Sequence, residues 1–333
     1  MKIAVDMRMS GKSGIGTFLD ELIPYFKESG NEFYFSCPDV KTFSIKEMFY
    51  FPKEELKEIN SCDAYFTPYC NIPGGIKIPV YSTIHDVVFL DVKGLAGKAG
   101  TAIRKFFYSY AIKRSKAIFT VSQFSKERII ANLKCKKPIH VVHNGTPSYY
   151  DNVVPCKNKG NYMIFIGNIK KHKGLSVLLE AFEFILQSRP DVKLMIVGSN
   201  ENFRSKDDSI NSKIEKINFH HKDAIQFTGF VENEKLKELL ARAKLLVQPS
   251  LYEGFGIPPL QALKCGTNAV ISDIPVFKEI YGQLPVTFFK NQDSSDLKDK
   301  ILETLDKDFN SSFTEIYSYR KTAEAILKVI ENN

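Results

Sequence analysis

Short apolar runs of about five residues alternate along this chain with longer stretches in which apolar positions recur every three or four residues, the alternation of buried parallel strands with amphipathic helices. The runs predict strands at 2–5, 32–36, 64–66, 80–83, 117–121 and 139–142, and again at 162–166, 193–197, 225–227, 245–248, 268–271 and 286–288. The series breaks at 147–159 (PSYYDNVVPCKNK), a polar stretch that reads as a linker. The expectation is therefore α/β: two doubly wound, Rossmann-like parallel-sheet domains, 1–147 and 148–312, followed by a terminal segment, 313–333, that carries a last helix over 313–330. In open parallel sheets ligands bind beyond the carboxyl ends of the strands. Two such domains facing each other would put the site in a cleft between them.

Composition narrows this. A length of 333 residues suits two domains of roughly 150 to 170 residues each. With 44% hydrophobic and 25% charged residues and no low-complexity tract, the whole chain should be globular. No apolar run approaches the ~18 residues that cross a bilayer, and the start MKIAVDMRMS lacks a signal peptide's apolar region, so a soluble, cytoplasmic protein is expected. Cys37, Cys62, Cys70, Cys135, Cys156 and Cys265 form no Cys-x-x-Cys pair and no zinc spacing, and read as reduced thiols.

The net charge of +8 matters through its distribution. From Val92 to Lys126 there are eight basic residues and no acid. A helix predicted over 101–115 carries Ile103, Phe106, Phe107 and Tyr110 on one face, flanked by Arg104, Lys105, Lys113 and Arg114. Either the aromatics are core and the bases solvated, or residues 98–116 form a basic aromatic surface that rests on anionic lipid at the inner face of a membrane. Nucleic acid is a poor partner, because no recognition motif accompanies the charge.

The most informative run is 246–262, LVQPSLYEGFGIPPLQA. A buried strand end leads into a turn from Pro249 to Gly256, and a helix begins near Ile257 with Pro258 and Pro259 in its first turn. That places Glu253 where a ligand could reach it. Gly254 and Gly256 permit close backbone approach, and the helix start offers amides to an anion. A carboxylate beside an anion cradle suits a sugar nucleotide.

This run resembles the Glu-x7-Glu signature of the retaining GT-B glycosyltransferases of family 4, with Gly254, Phe255, Gly256, Pro258, Leu260, Ala262, Cys265 and Gly266 in the family's places. The resemblance implies that Glu253 holds the donor sugar and that the terminal helix in 313–333 crosses back to the N-terminal domain. The second acid, which holds the ribose in the family, is Gln261 here. A neutral amide grips ribose hydroxyls less firmly than a carboxylate does, which favours a deoxyribose donor such as dTDP-rhamnose while leaving GDP- and UDP-sugars open.

Four further strand ends carry candidate chemistry. In Ser10-Gly-Lys-Ser-Gly-Ile-Gly-Thr, Gly14 and Gly16 would let backbone approach a diphosphate at a helix N-terminus; the run is neither a Walker A loop nor a full G-x-G-x-x-G. His85-Asp86 resembles the family's cleft histidine, which implies charge stabilisation or acceptor orientation, with Asp86 either orienting the ring or capping the loop. In Gly167-Asn-Ile-Lys-Lys-His-Lys-Gly174 the family's phosphate-gripping Arg is replaced by Asn168, while Lys173 remains as the clamp, a pattern like that of mannosyl- and rhamnosyltransferase branches. Phe230 and Val231 follow another strand and are base-site candidates by the same resemblance, and Val197-Gly198-Ser199 could line the same pocket.

These readings imply a retaining hexosyltransferase with catalytic His85, Lys173 and Glu253, a nucleotide-sugar donor, a glycan or lipid-linked acceptor of a bacterial surface polysaccharide, no cofactor, and no metal, on the expectation that neither domain carries an Asp-x-Asp motif. Two alternatives remain at this point: a non-catalytic partner of another transferase, and a GT-B epimerase acting on a free sugar nucleotide.

Overall fold

The computed structural model describes residues 1–42, 46–49, 51–198, 208–309 and 315–333; Ser199, Phe313 and Thr314, named or spanned above, lie outside the described residues. The chain divides into two compact units, Met1–Pro147 with Ile316–Asn333, and Ser148–Glu315. Among the described residues no helix is long and apolar enough to cross a membrane.

The first unit holds strands β1 (Lys2–Asp6), β2 (Glu32–Ser36), β3 (Ala64–Thr67), β4 (Val80–Thr83), β5 (Ser115–Thr120) and β6 (Ile139–Val141). They pair in the order β2-β1-β3-β4-β5-β6, every pair parallel. The second unit holds β7 (Tyr162–Ile166), β8 (Lys193–Val197), β9 (Ile225–Gly229), β10 (Leu245–Gln248), β11 (Asn268–Ser272) and β12 (Thr287–Phe289), ordered β12-β11-β10-β7-β8-β9 and again all parallel. The predicted strands are all found, with ends moved by a residue or two. Helices cover both faces, so central strands such as β3, β4 and β10 are buried at every position, which is why they read as unbroken apolar runs.

In the second unit the Leu175–Ser188 helix turns Leu175, Leu178, Leu179, Phe182, Ile185 and Leu186 onto Met163, Phe165, Leu194 and Ile196. Each such side chain contributes about 1.5–3 kcal/mol by leaving water. The last helix, Tyr319–Glu331, is capped by Ser318, whose hydroxyl accepts from the Lys321 amide. It buries Tyr319, Ala323, Ile326, Leu327 and Ile330 against Ile3, Val5, Phe18 and Leu22, so the end of the chain belongs to the first unit's core.

The basic helix differs from its prediction. It spans Lys98–Arg114, beginning three residues early because Gly97 supplies an extended N-cap, and Ser115 already opens β5. Ala111 is its one fully buried residue. Ile103 and Phe106 are each 56% exposed, so they are not core.

Candidate active site

In the second unit the strand order reverses between β7 and β10, and a crevice opens at such a reversal beyond the strand ends. The loops leaving these two strands carry Lys173 and Glu253. The Lys173 ammonium donates to both carboxylate oxygens of Glu253, at 2.7 and 2.8 Å. Ser250 Oγ also donates to Glu253 Oε1 at 2.7 Å, and Gln248 Nε2 donates to Ser250 Oγ at 3.1 Å. Glu253 is 9% exposed, so the carboxylate sits deeper than the sequence suggests, held by a lysine and a hydroxyl.

The two loops are locked together. The Leu251 amide donates to the His172 carbonyl at 2.7 Å, and a Cβ at Gly174 (φ +70°) would run into the Pro249 carbonyl oxygen. Gly174 also opens the Leu175–Ser188 helix without a side-chain cap, leaving its first amides beside Lys173. The buried His172 ring is neutral at physiological pH: burial, then Lys173 and Lys170, pull its pKa down to about 4 against the opposing pull of Glu253. Its Nδ1 is buried with no hydrogen-bond partner.

The other donor-side candidates divide. Gly256 (φ +83°) must be glycine, since a Cβ there would enter the Phe277 ring, and the Tyr281 hydroxyl donates to its carbonyl. Phe255 turns inward and is 2% exposed, so a ligand could meet only its backbone. Pro258 and Pro259 open the helix Pro258–Lys264, and proline has no N–H, so this helix start is a poorer amide cradle than the sequence reading supposes. Amides for an anion there must come from the turn at Gly254 to Ile257. Gln261 lies on this helix, 7% exposed. Asn168 follows β7, and its carbonyl accepts from the Lys170 amide at 2.9 Å. Phe230 (75% exposed) and Val231 follow the edge strand β9, two strands away from β7, and are not gathered with Lys173 and Glu253. Gly198 bridges the gap: its amide donates to the Gly229 carbonyl, and it packs on the Gly167 backbone.

In the first unit, Gly14 and Gly16 open the Ser13–Glu28 helix. The Gly16 amide already donates to the Lys12 carbonyl at 2.9 Å and a Cβ there would strike the Met9 carbonyl, so Gly16 serves loop packing and its amide is not available to a diphosphate. Gly14 is exposed, with open space where its Cβ would stand.

His85 follows β4. Its Nε2 lies 2.8 Å from the Pro68 carbonyl. A carbonyl only accepts, so Nε2 carries the proton and Nδ1 is the ring's lone pair. Burial takes the pKa down to about 4 despite this bond, and the Phe18 ring meets the imidazole edge-on at 5.0 Å. A neutral ring offers an acceptor rather than a cation. Asp86 accepts from the Val88 amide at 2.9 Å, a loop cap.

Ser250, Gln248 and His172 were not singled out from sequence. Ser250, three residues before Glu253, was the one with a readable signal: a small hydroxyl just past a buried strand. Among the described residues no group of three or more His, Cys, Asp and Glu could hold a metal ion. One Asp-x-Asp does occur, Asp306-Lys307-Asp308, correcting the sequence reading; Asp306 is bound by Arg189 and Lys244. Asp306, Lys307, Asp308 and Lys244 line a cavity of about 790 Å³ with Lys157, Lys159 and Asn268, at the amino ends of the strands and away from the Lys173–Glu253 pair.

Two all-parallel doubly wound units, each with its own strand reversal, define the GT-B fold class. Sucrose-phosphate synthase from Thermosynechococcus elongatus superposes with a TM-score of 0.73 at 16% identity, covering 100% of this chain and 98% of that one. Anabaena HepE in complex with UDP and glucose gives 0.70 at 13% identity, covering 100% of both. Residues 150–326 match the glycosyl transferases group 1 and residues 61–148 match Glycosyltransferase Family 4, and the chain belongs to this family of glycosyltransferases. Relatives include an uncharacterized glycosyltransferase of Methanocaldococcus jannaschii (27% identical over 239 residues, 67% of this chain) and the O-antigen chain mannosyltransferase RfbU of Salmonella typhimurium (30% over 178 residues, 53% of this chain). These matches span 59% and 47% of the two relatives' own lengths. The O-antigen chain mannosyltransferase B of Escherichia coli is 26% identical over 78% of this chain and 69% of its own length.

Proposed function

We propose that the protein transfers a hexose or deoxyhexose, mannose or rhamnose, from a nucleotide sugar to a glycan or lipid-linked acceptor of a surface polysaccharide, with retention at the anomeric carbon and without a metal ion. The observation that carries this is the Lys173–Glu253 pair at the β7/β10 reversal. A departing diphosphate needs its charge neutralised, which the Lys173 ammonium and the uncapped helix start at Gly174 can do. Glu253 then accepts from sugar hydroxyls, and the neutral His85 ring accepts a hydrogen bond from a hydroxyl through Nδ1. The acceptor would attack on the leaving-group face while a phosphate oxygen receives its proton. No side chain is assigned as a covalent nucleophile.

Mannosyltransferases among the relatives favour mannose, while Gln261 in place of an acid favours a deoxyribose nucleotide, so dTDP-, GDP- and UDP-sugars are the donors to test. Phe230 and Val231 are proposed for the base and Asn168 for the diphosphate region. The second unit would hold the donor and the first the acceptor. Ile103 and Phe106, exposed beside Lys105 and Lys113, support a further proposal, that residues 98–116 rest on an anionic membrane at its inner face.

Incubating the purified protein with each nucleotide sugar and a lipid-linked oligosaccharide acceptor tests the reading. The expected result is an acceptor-dependent glycoside whose anomeric configuration, read by NMR, matches the donor's. Conversion of the donor without acceptor would mark an epimerase instead, and no turnover with any donor would mark a non-catalytic partner.

A further inference from the structure

The first unit has its own strand reversal, between β1 and β3. Beyond it lies a set of charged side chains that the proposed chemistry does not use. Arg8 is 2% exposed, and Asp6 and Glu47 are fully buried. The Arg8 guanidinium forks onto Asp6, Nε to Oδ1 at 2.9 Å and Nη2 to Oδ2 at 2.7 Å, and Nη1 reaches Glu47 Oε2 at 3.1 Å. Despite burial, which opposes the charge, Asp6 lifts the guanidinium pKa above its ordinary value. The ring faces of Phe51 and Tyr69 each lie 5.1 Å from its central carbon.

Three buried ionic groups are an expensive way to fill a core. Apolar residues of equal volume often serve stability as well, whereas loss of one partner leaves an uncompensated charge. What distinguishes this network is what it holds. Arg8 Nη2 donates to the Asn71 carbonyl at 2.9 Å, the Asn71 side-chain amide donates to Glu47 Oε1, and the Tyr69 hydroxyl donates to Glu47 Oε2 at 2.7 Å. Thr67 Oγ1 donates to Asp6 Oδ2 at 2.8 Å. Residues 67, 69 and 71 are thus each tied to the ion network. Between them stands Pro68, whose carbonyl receives the His85 N–H.

We infer that Arg8, Asp6 and Glu47 are positioning residues for His85: their buried network clamps the loop after β3 so that the Pro68 carbonyl fixes the orientation and tautomer of the imidazole. This rests on the role proposed above for His85, which accepts from a substrate hydroxyl through Nδ1. The loop has no strand partner of its own beyond Thr67, so without the network the Pro68 carbonyl would not hold one direction. The ring would then exchange between Nε2–H and Nδ1–H forms, and its acceptor lone pair would face the reacting hydroxyl only part of the time.

Glu47→Gln tests this with no change of size. Every Glu47 oxygen accepts from a donor, so a side-chain NH2 either faces Arg8 and the Tyr69 hydroxyl or forces the Asn71 amide to turn over, and each breaks the network as it stands. Tyr69→Phe is the milder variant, removing one hydroxyl and leaving the ring beneath Arg8. In full-length protein with 15N-labelled histidine, the six histidines are read by long-range proton–nitrogen correlation, and His85 is assigned through His85→Gln. The expected wild-type pattern is a single neutral Nε2–H tautomer. In Tyr69→Phe, and in Glu47→Gln if it folds, the two His85 nitrogen shifts should move toward each other. In those variants kcat should fall roughly ten- to hundredfold while the donor KM stays within about twofold. Folded variants whose His85 shifts match wild type would overturn the inference. If His85→Gln turns over normally, the role given to His85 fails, while the tautomer shifts still decide whether the network holds the ring.

Discussion

Lys173 and Glu253 grip each other, the ammonium lying 2.7 and 2.8 Å from the two carboxylate oxygens across 80 residues of sequence. In the proposed function a donor parts them, its diphosphate drawing the lysine and the freed carboxylate turning to hydroxyls. Removing the acid's charge should therefore separate binding from transfer. In Glu253→Gln, transfer is expected to fall at least ~100-fold while nucleoside diphosphate affinity holds or rises, because Lys173 no longer has a competing anion. Steady-state transfer assays beside calorimetry with the free nucleotide check both halves.

Three glycines that look alike in sequence should behave differently. Gly174→Ala must meet the Pro249 carbonyl at a left-handed φ of +70°, and Gly16→Ala must meet the Met9 carbonyl. Each should lower stability by at least about 1–3 kcal/mol, read as a fall in denaturation midpoint. Gly14 has nothing within reach of a Cβ, so Gly14→Ala should leave the midpoint unchanged. Should that variant nonetheless lose activity, a substrate approaches the backbone at Gly14.

Acid should destabilise the second unit through His172. Its folded pKa of about 4 lies below the ordinary value of 6.5, so in mildly acid solution the unfolded chain binds the proton first. Stability is then fully present above about pH 6.5 and falls as the pH drops toward 4, by on the order of 3 kcal/mol at most. Thermal melts across that range should show a shallower acid-side fall in His172→Gln than in wild type. Turnover, for its part, should show no histidine titration between about pH 6 and 8, since His85 is neutral throughout.

On the basic helix, Arg104 stacks on Phe89 at 4.0 Å and Arg114 donates to the Ile76 carbonyl, so neither is a clean probe of a surface. Lys105, Lys113, Ile103 and Phe106 are exposed. Changing these four to Ser should abolish sedimentation with vesicles containing anionic lipid, each lysine contributing about 1 kcal/mol, and leave transfer to a water-soluble acceptor intact. Equal sedimentation of the variant would remove the membrane from the proposal.

Both sheets were legible in the sequence because central parallel strands are buried on two faces and show as continuous apolar runs, as at β3 and β10. Lys173 and Glu253 were legible as separate motifs, each at a strand end; their contact was not, because strand order is a tertiary property that places β7 beside β10. Ser250 and Gln248 were missed since a hydroxyl and an amide at a strand end are common and become informative only when aimed at Glu253. The Arg8 network escaped for a related reason: Asp6, Arg8, Glu47 and Asn71 are scattered over 66 positions, and no local spacing connects them. The exposed Ile103 and Phe106 were misleading as core candidates because helical periodicity registers an apolar face without saying what covers it.

The most direct test is calorimetry of UDP, GDP, dTDP and ADP against wild type, Lys173→Ala and Glu253→Gln. One nucleoside diphosphate should bind wild type, weaken at least ~10-fold in Lys173→Ala, and bind Glu253→Gln no less tightly than wild type. A nucleotide that binds Lys173→Ala as well as it binds wild type would place the donor's diphosphate elsewhere and contradict the site proposed at the β7/β10 reversal.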